Sequence, residues 1–362
     1  MTSPLLRLTS GDWCPEAEVE RILAAAPQRR CVVLGDFFLD KYLAVDPQLV
    51  ETSLETGKPA HQVVQIRRAA GAAGTVVNNL AALGVQTLYA VGVIGDDGEG
   101  YDLRQALLAV GCDVTHLVTA PERFTPTYLK PHDTTLPGLA GEHSRYDTKN
   151  RHPLPSLYEE RVLDHLERLL PQVDAVMIMD QVEWADCGVI TQRVRERLAT
   201  LAEQYPQVWF WADSRRRIRE FRHCCIKPNQ FEAVGRFHPS PSEEVSMNEL
   251  EQTLRALRSQ TGRLVCITCG ERGMLVSDPV PTWIPAVQVS PPIDPTGAGD
   301  SATAAAVIAL AAGATPPQAA LLANLAASVT IRQLGTTGMA TPDQIRQAYR
   351  TWLAQQHPDN SQ

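Results

Sequence analysis

The stretch Asp294-Pro295-Thr296-Gly297-Ala298-Gly299-Asp300 sets two glycines, a threonine hydroxyl and two carboxylates within seven residues. Behind it runs SATAAAVIALAAGA, rich in good helix formers and apolar on nearly every side. That composition predicts a buried helix with its N-terminus at Gly297 to Gly299. Free N–H groups at such an end, with no Cβ on the glycines to block approach, form an anion site. Asp300 then falls in the first turn, where the helix dipole favours its ionised form. A carboxylate beside an anion hole can take a proton from a hydroxyl while the amides hold developing phosphoryl charge. The same residues also describe a plain glycine turn with an acidic helix start, so the rest of the chain must decide.

Two further clusters offer related chemistry. In Lys227-Pro228-Asn229-Gln230-Phe231-Glu232, Asn229 and Glu232 share one helix face at i and i+3. That face could hold an amide and a carboxylate near phosphates and magnesium, through water. N-x-x-E equally describes an N-cap with its capping glutamate. In Thr268-Cys269-Gly270-Glu271-Arg272-Gly273, Thr268 can donate its hydroxyl and Gly270 lets a ligand approach the backbone. Asp36 and Asp40 follow the apolar run Cys31-Val32-Val33-Leu34, at the edge where α/β proteins bind ligands. Asp180, Asp213 and Arg215 end later strands on the same edge, and each reads equally as a cap or an ion pair.

Positioning these groups requires a regular frame. Apolar strand runs at 31–34, 86–95, 173–180, 208–213, 224–227 and 263–268 alternate with helical patterns. The helices are expected at 71–84, 98–110, 156–170, 187–205, 248–260, 299–312, 316–333 and 342–355. Such alternation gives an α/β fold with a mostly parallel central sheet covered by helices. The rhythm breaks at 41–70 and 113–150, where VVQIRR, VTHLV, TPTYLK and HSRYD read as short strands suited to a small β lid. A short amphipathic helix at 15–26 lies in an N-terminal helical extension, about residues 1–29. The whole chain, 1–362, reads as a single domain.

Composition narrows the function classes. The chain has 362 residues, is 44% hydrophobic and carries a net charge of -8, so a nucleic-acid or anionic-membrane surface is not expected. The Arg-rich piece Arg215-Arg216-Arg217-Ile218-Arg219 reads as a solvated loop or helix start. No apolar run is long enough to span a membrane, and the N-terminus lacks a signal-peptide core. Eight cysteines without small-domain spacing fit reduced thiols in a cytoplasm. Cys266-Ile267-Thr268-Cys269 has no second pair at zinc spacing. No G-x-G-x-x-G follows the first strand, which argues against a dinucleotide-binding dehydrogenase.

D-P-T-G-A-G-D resembles the C-terminal signature of the ribokinase-like sugar kinases, the PfkB carbohydrate kinase family. The N-x-x-E and T-x-G-x-x-G stretches occur in the family's order, and the resemblance covers roughly residues 30 to 345. It implies a three-layer α/β/α fold with a β lid and an ATP-dependent transfer to an alcohol of a sugar or sugar phosphate. By it, Gly297, Ala298 and Gly299 form the anion hole and Asp300 is the catalytic base. Asn229, Glu232, Thr268, Gly270 and Gly273 fall to the nucleotide and magnesium region. Asp40, with Asp36 as the near alternative, falls to the sugar hydroxyls, with Gly71 and Asn79 on the same side. Asp294, Thr296 and Gly335 fall near a monovalent-cation loop, which makes potassium a third ligand after ATP and Mg2+. The lid is the surface through which a homodimer would form.

The stretch Ala70-Gly71-Ala72-Ala73-Gly74-Thr75 departs from the family, which carries a Gly-Gly pair and then Asn; here Ala72 and Thr75 stand instead. ERILAAAP, VVLGDFFLDKY and RYD are most similar to the subgroup that phosphorylates heptose 7-phosphate. Two rivals remain: a nucleoside or other small-alcohol kinase of this fold, and a catalytically silent sugar- or nucleotide-binding protein.

Overall fold

The apolar strands assemble into a seven-stranded parallel sheet. Its order is Cys225–Ile226, Trp209–Ser214, Ala175–Asp180, Arg30–Gly35, Thr87–Gly95 and Cys112–Asp113, with Leu117–Ala120 also beside Thr87–Gly95. The structure is a computed structural model and describes residues 5–8, 12–136, 138–240 and 243–356. Alternate side chains leave the sheet on opposite faces, as the two-residue period of a strand requires. Cys31 and Val33 enter one core, with Val76 and Leu80 of helix Ala73–Ala82 and with helices Ala298–Ala311 and Pro316–Thr330. Val32 and Leu34 enter the other, with helices Ser156–Leu169, Gln192–Gln204 and Met247–Thr261. Two cores, one on each face of the sheet, make the three layers.

Helix Ala298–Ala311 is buried from Ser301 through Leu310, which explains its uniformly small and apolar residues. Beyond Cys225–Ile226 a small sheet continues the edge, in the order Leu6–Arg7, Thr282–Ile284, Met274–Val276 and Cys266–Thr268. The expected helical extension thus begins with a strand: Leu6–Arg7 pairs with Thr282–Ile284, and helix Glu16–Ala25 follows. Residues 1–4 and 9–11 of that extension lie outside the described residues. The extension is tied to the C-terminal helix Pro342–Gln356 by Arg346–Glu20 at 2.8 Å and by Trp13 edge-on to Trp352.

A third sheet stands over the C-terminal ends of the parallel strands, in the order Pro59–Ala72, Phe37–Thr52, Thr127–Asp133 and Tyr146–Thr148. Its first two strands are long and antiparallel, and Asp40 lies opposite Ala69. VTHLV does not join this lid. Leu117–Ala120 pairs with Gly92 to Gly95 of the central sheet, and Leu117, Val118 and Ala120 are buried there. The helix expected at 187–205 begins at Gln192, with Thr191 as its N-cap, because residues 184–190 form turns and bends held in part by Asp36, which accepts from the Val189 N–H.

Candidate active site

Between the lid and the sheet edge lies a cavity of about 410 Å³, lined in part by Asp40, Lys130, Arg145, Arg215, Gly297 and Asp300. Gly297 has φ +80°, and helix Ala298–Ala311 starts immediately after it. The turn does not offer all its amides. Ala298 N donates to the Pro295 carbonyl at 3.1 Å and Asp300 N to the Gly297 carbonyl at 3.1 Å. Among the described residues, the Gly297 and Gly299 N–H groups find no such acceptor. The two glycine amides and the helix dipole are thus the groups here that could receive an anion, while the Ala298 amide is used within the turn.

Asp300 faces this cavity from the first helical turn. Its carboxyl is pushed up to about 7, chiefly by burial and then by the neighbouring Asp213, against the pull of Lys227 and Arg215. The dipole alone would have kept it ionised, so burial reverses that expectation. A carboxylate poised near neutrality is suited to accept a proton from a hydroxyl. Lys227 is buried and pairs with Asp213 at 2.8 Å. Its ammonium lies 3.5 Å from where a Cβ on Gly299 would stand. Burial opposes its charge, but Asp213 outweighs this and raises its pKa.

Asn229 and Glu232 form a complete capping box. Asn229 Oδ1 accepts from the Phe231 and Glu232 amides at 2.9 Å each, and Glu232 Oε2 accepts from Asn229 N at 2.8 Å. Burial, then Asp213, lifts the Glu232 carboxyl to about 7, against the pull of the Asn229 amide, Lys227 and Arg215. Thr268 pairs with Asn229 in a parallel bridge, which brings the N-x-x-E and T-x-G-x-x-G stretches together. Gly270 has φ +58° and open space around it. Gly273 packs against the backbone of Pro285 and Ala286. None of these five residues lines the cavity; they form a second group joined to Asp300 through Lys227.

On the acceptor side, Asp40 pairs with Lys130 at 2.8 Å. Gly71, opposite Phe38 in the ladder, packs against this side chain: an added Cβ would stand 2.6 Å from Asp40 Oδ2. Asp36 is differently engaged. Its carboxylate accepts from the amides of Gln181 at 2.8 Å, Val182 at 3.1 Å and Val189 at 2.7 Å. It borders the cavity but is a clamp on the 181–189 loop. Asn79 lies away from the cavity and donates to the carbonyls of Thr75 and Gly338.

Asp294 joins two turns: Oδ1 accepts from Thr296 N at 3.0 Å and Oδ2 from Gly335 N at 3.2 Å. Burial would raise its pKa, but hydrogen bonds from Thr296 and Gly335 prevail and hold it low. Arg67 reaches from the lid to Thr336 Oγ1 at 3.2 Å and to the Gly335 carbonyl at 3.4 Å. The oxygens here suit a monovalent cation, although one carbonyl already has a guanidinium partner. Among the described residues, no three His, Cys, Asp or Glu side chains gather closely enough to hold a metal. Glu232 and Asp300, the two acidic neighbours of Lys227 besides its partner Asp213, could accept hydrogen bonds from the waters of a magnesium held by phosphate oxygens.

The residues missed in the sequence are mostly cationic. Arg145 and Lys149 flank Asp147, at 2.7 and 3.6 Å, and both lie over the Tyr128 ring. Their i, i+4 spacing along a strand puts all three on one face, which was a usable signal. Lys227, a lysine closing the apolar run CCIK, was another. Arg217 is not solvated as expected: it is buried against Asp180 at 2.6 Å. That pair supports the loop beyond Asp180, where Arg217 also donates to the Glu183 carbonyl at 3.1 Å.

Comparison with known proteins bears on the fold and the family. Residues 30–344 match the pfkB family carbohydrate kinase pattern. The bifunctional protein HldE of Geotalea uraniireducens is 29% identical over 349 residues, spanning 95% of this chain and 66% of that protein. The bifunctional protein HldE of Trichlorobacter lovleyi is 28% identical, over 90% of this chain and 64% of its own. The chain thus spans just under two thirds of the length of these relatives. Among solved structures, ribokinase from Thermotoga maritima superposes with a TM-score of 0.63 at 17% identity, over 89% of this chain and 99% of that one. The phosphofructokinase-2 from Escherichia coli in complex with potassium gives 0.66 at 18% identity, over 90% and 99%. The structural likenesses establish the ribokinase-like fold. With the family pattern running from the first central strand into the last helix, the chain belongs to the pfkB family of carbohydrate kinases.

Proposed function

We propose that this chain transfers the γ-phosphoryl of ATP to a hydroxyl of a sugar phosphate. The observation that carries the reading is Asp300: a carboxylate raised to about 7, at one cavity with the Gly297 turn and Asp40. The acceptor hydroxyl would give its proton to Asp300 while the Gly297 and Gly299 amides and Lys227 hold phosphoryl charge. Magnesium near Glu232, Asn229 and Asp300 would supply charge neutralisation on the phosphates. Asn229, Thr268 and Gly270 lie on the side from which the nucleotide would approach. Asp40 would accept acceptor hydroxyls.

A sugar phosphate is favoured over a free sugar because Lys130, Arg145, Lys149 and Arg215 all border the cavity. Guanidinium and ammonium groups there suit a dianionic phosphate. Potassium at Asp294, Thr296 and Gly335 belongs to the same proposal. So does a homodimer through the lid, whose long strands expose Leu49, Val50, Val63, Val64 and Ile66. The eight buried, unpaired cysteines suit a reducing compartment such as the cytoplasm. Among the described residues, no helix is long and apolar enough to cross a membrane.

The test is a panel of sugars, sugar phosphates and nucleosides read by ADP release. Release with phosphorylated sugars above free sugars and nucleosides is expected. Release with none of them would put a silent binding protein ahead.

A further inference from the structure

Ala72 ends the lid strand Pro59–Ala72 and precedes helix Ala73–Ala82 with φ 52° and ψ -118°. Those angles belong to the first central position of a type II′ turn, which glycine ordinarily fills. Among the described residues, three non-glycines have positive φ: Ala72, Asp186 and His223. Aspartate and histidine tolerate that region better, through local polar contacts, whereas alanine has none to offer. The conformation is imposed by its surroundings. Ala72 pairs with Phe37 in the lid ladder, and the next amide, Ala73 N, donates to the Asp36 carbonyl at 3.0 Å.

The strained residue lines the acceptor cavity, together with Thr75, Phe38 and Val93. Its neighbour Gly71 packs against the Asp40 side chain, and Ala72 and Asp40 line the same cavity. Strain of this kind persists where the structure over-determines it and clusters at ligand sites.

We infer that Ala72 is a specificity-determining residue. Its methyl excludes acceptors with a hydroxyl on the carbon facing helix Ala73–Ala82 and selects sugar phosphates with a C–H or deoxy edge there. Phe38 and Val93 offer such a hydroxyl no hydrogen bond, which leaves Thr75 as the one hydroxyl among these four lining residues, and the Ala72 methyl would crowd the incoming hydroxyl. The inference rests on the sugar-phosphate reading above.

Ala72→Gly removes the methyl and the strain together. Parent and variant are titrated with glucose 6-phosphate and with its 2-, 3- and 4-deoxy analogues. Binding is read from ligand-induced shifts in Tm, which need no turnover, and ADP release is followed in parallel. The variant is expected to melt above the parent without ligand. The parent is expected to prefer at least one deoxy analogue over glucose 6-phosphate by about 10-fold or more, and the variant to lose that preference. Identical preferences in the two proteins, or no binding of any of the four, would overturn the inference, even with a higher Tm. Absence of ADP release with the binding preference intact would overturn phosphotransfer and leave the role of Ala72 supported.

Discussion

Lys227 Nζ stands 2.8 Å from Asp213 Oδ2, and the same ammonium reaches the underside of Gly299. One buried cation thus serves the carboxylate that raises Asp300 and the turn that would receive phosphate.

Removing that cation should alter the pH dependence in a defined direction. Lys227 lowers the Asp300 pKa, and Asp213 raises it. The base must be ionised to act, so kcat/KM of the parent should rise with pH through about 7. In Lys227→Met only Arg215 is left to oppose the Asp213 charge, and the acid limb should move to higher pH. Phosphate binding should weaken too, and loss of one partner of a buried pair should cost about 3–5 kcal/mol of stability. Profiles of kcat/KM against pH check the sign; an unchanged or lowered midpoint contradicts it.

Asp36 and Asp40 should separate stability from recognition. Asp36→Ala leaves the Gln181, Val182 and Val189 amides without their acceptor. Bonds to a charged acceptor contribute about 1.5–3 kcal/mol each, so a loss of several kcal/mol is expected in urea unfolding. Asp40→Ala should chiefly raise the acceptor KM and leave ATP affinity near parental. Loss of ATP affinity with an unchanged acceptor KM would contradict the assignment of the two sides.

Glu232→Gln offers a clean separation of cap from charge. Glutamine retains an oxygen for Asn229 N, so the capping box and Tm should survive. The missing charge should raise the magnesium concentration needed for half-maximal rate. Superimposable magnesium titrations would remove Glu232 from the metal's surroundings.

What the chain discloses before folding follows the range of the interactions. The Gly297 turn and the buried helix behind it are local, and their residues announce them. The strand and helix alternation is equally local, and it yields the layered sheet. The lid is another matter: Phe37–Thr52 pairs with Thr127–Asp133 from far along the chain. That pairing brings Lys130 to Asp40, and neither residue announces the other in sequence. Asp36 and Asp40 look alike as acids after one strand. Only the amides of the 181–189 loop distinguish the clamp from the free edge. The dipole that favours an ionised Asp300 is visible in sequence, whereas the burial and the Asp213 charge that raise its pKa are not.

The most direct measurement is the turnover of Asp300→Asn with a phosphorylated sugar that the parent accepts. Asparagine keeps the shape of the helix start and removes the base. Turnover, kcat, should fall by about 10²–10⁴-fold. Acceptor and ATP should still raise Tm, because the Gly297 and Gly299 amides, Lys227 and Asp40 are untouched. A variant that turns over near the parental rate would make Asp300 a helix-start residue and contradict the account at its centre.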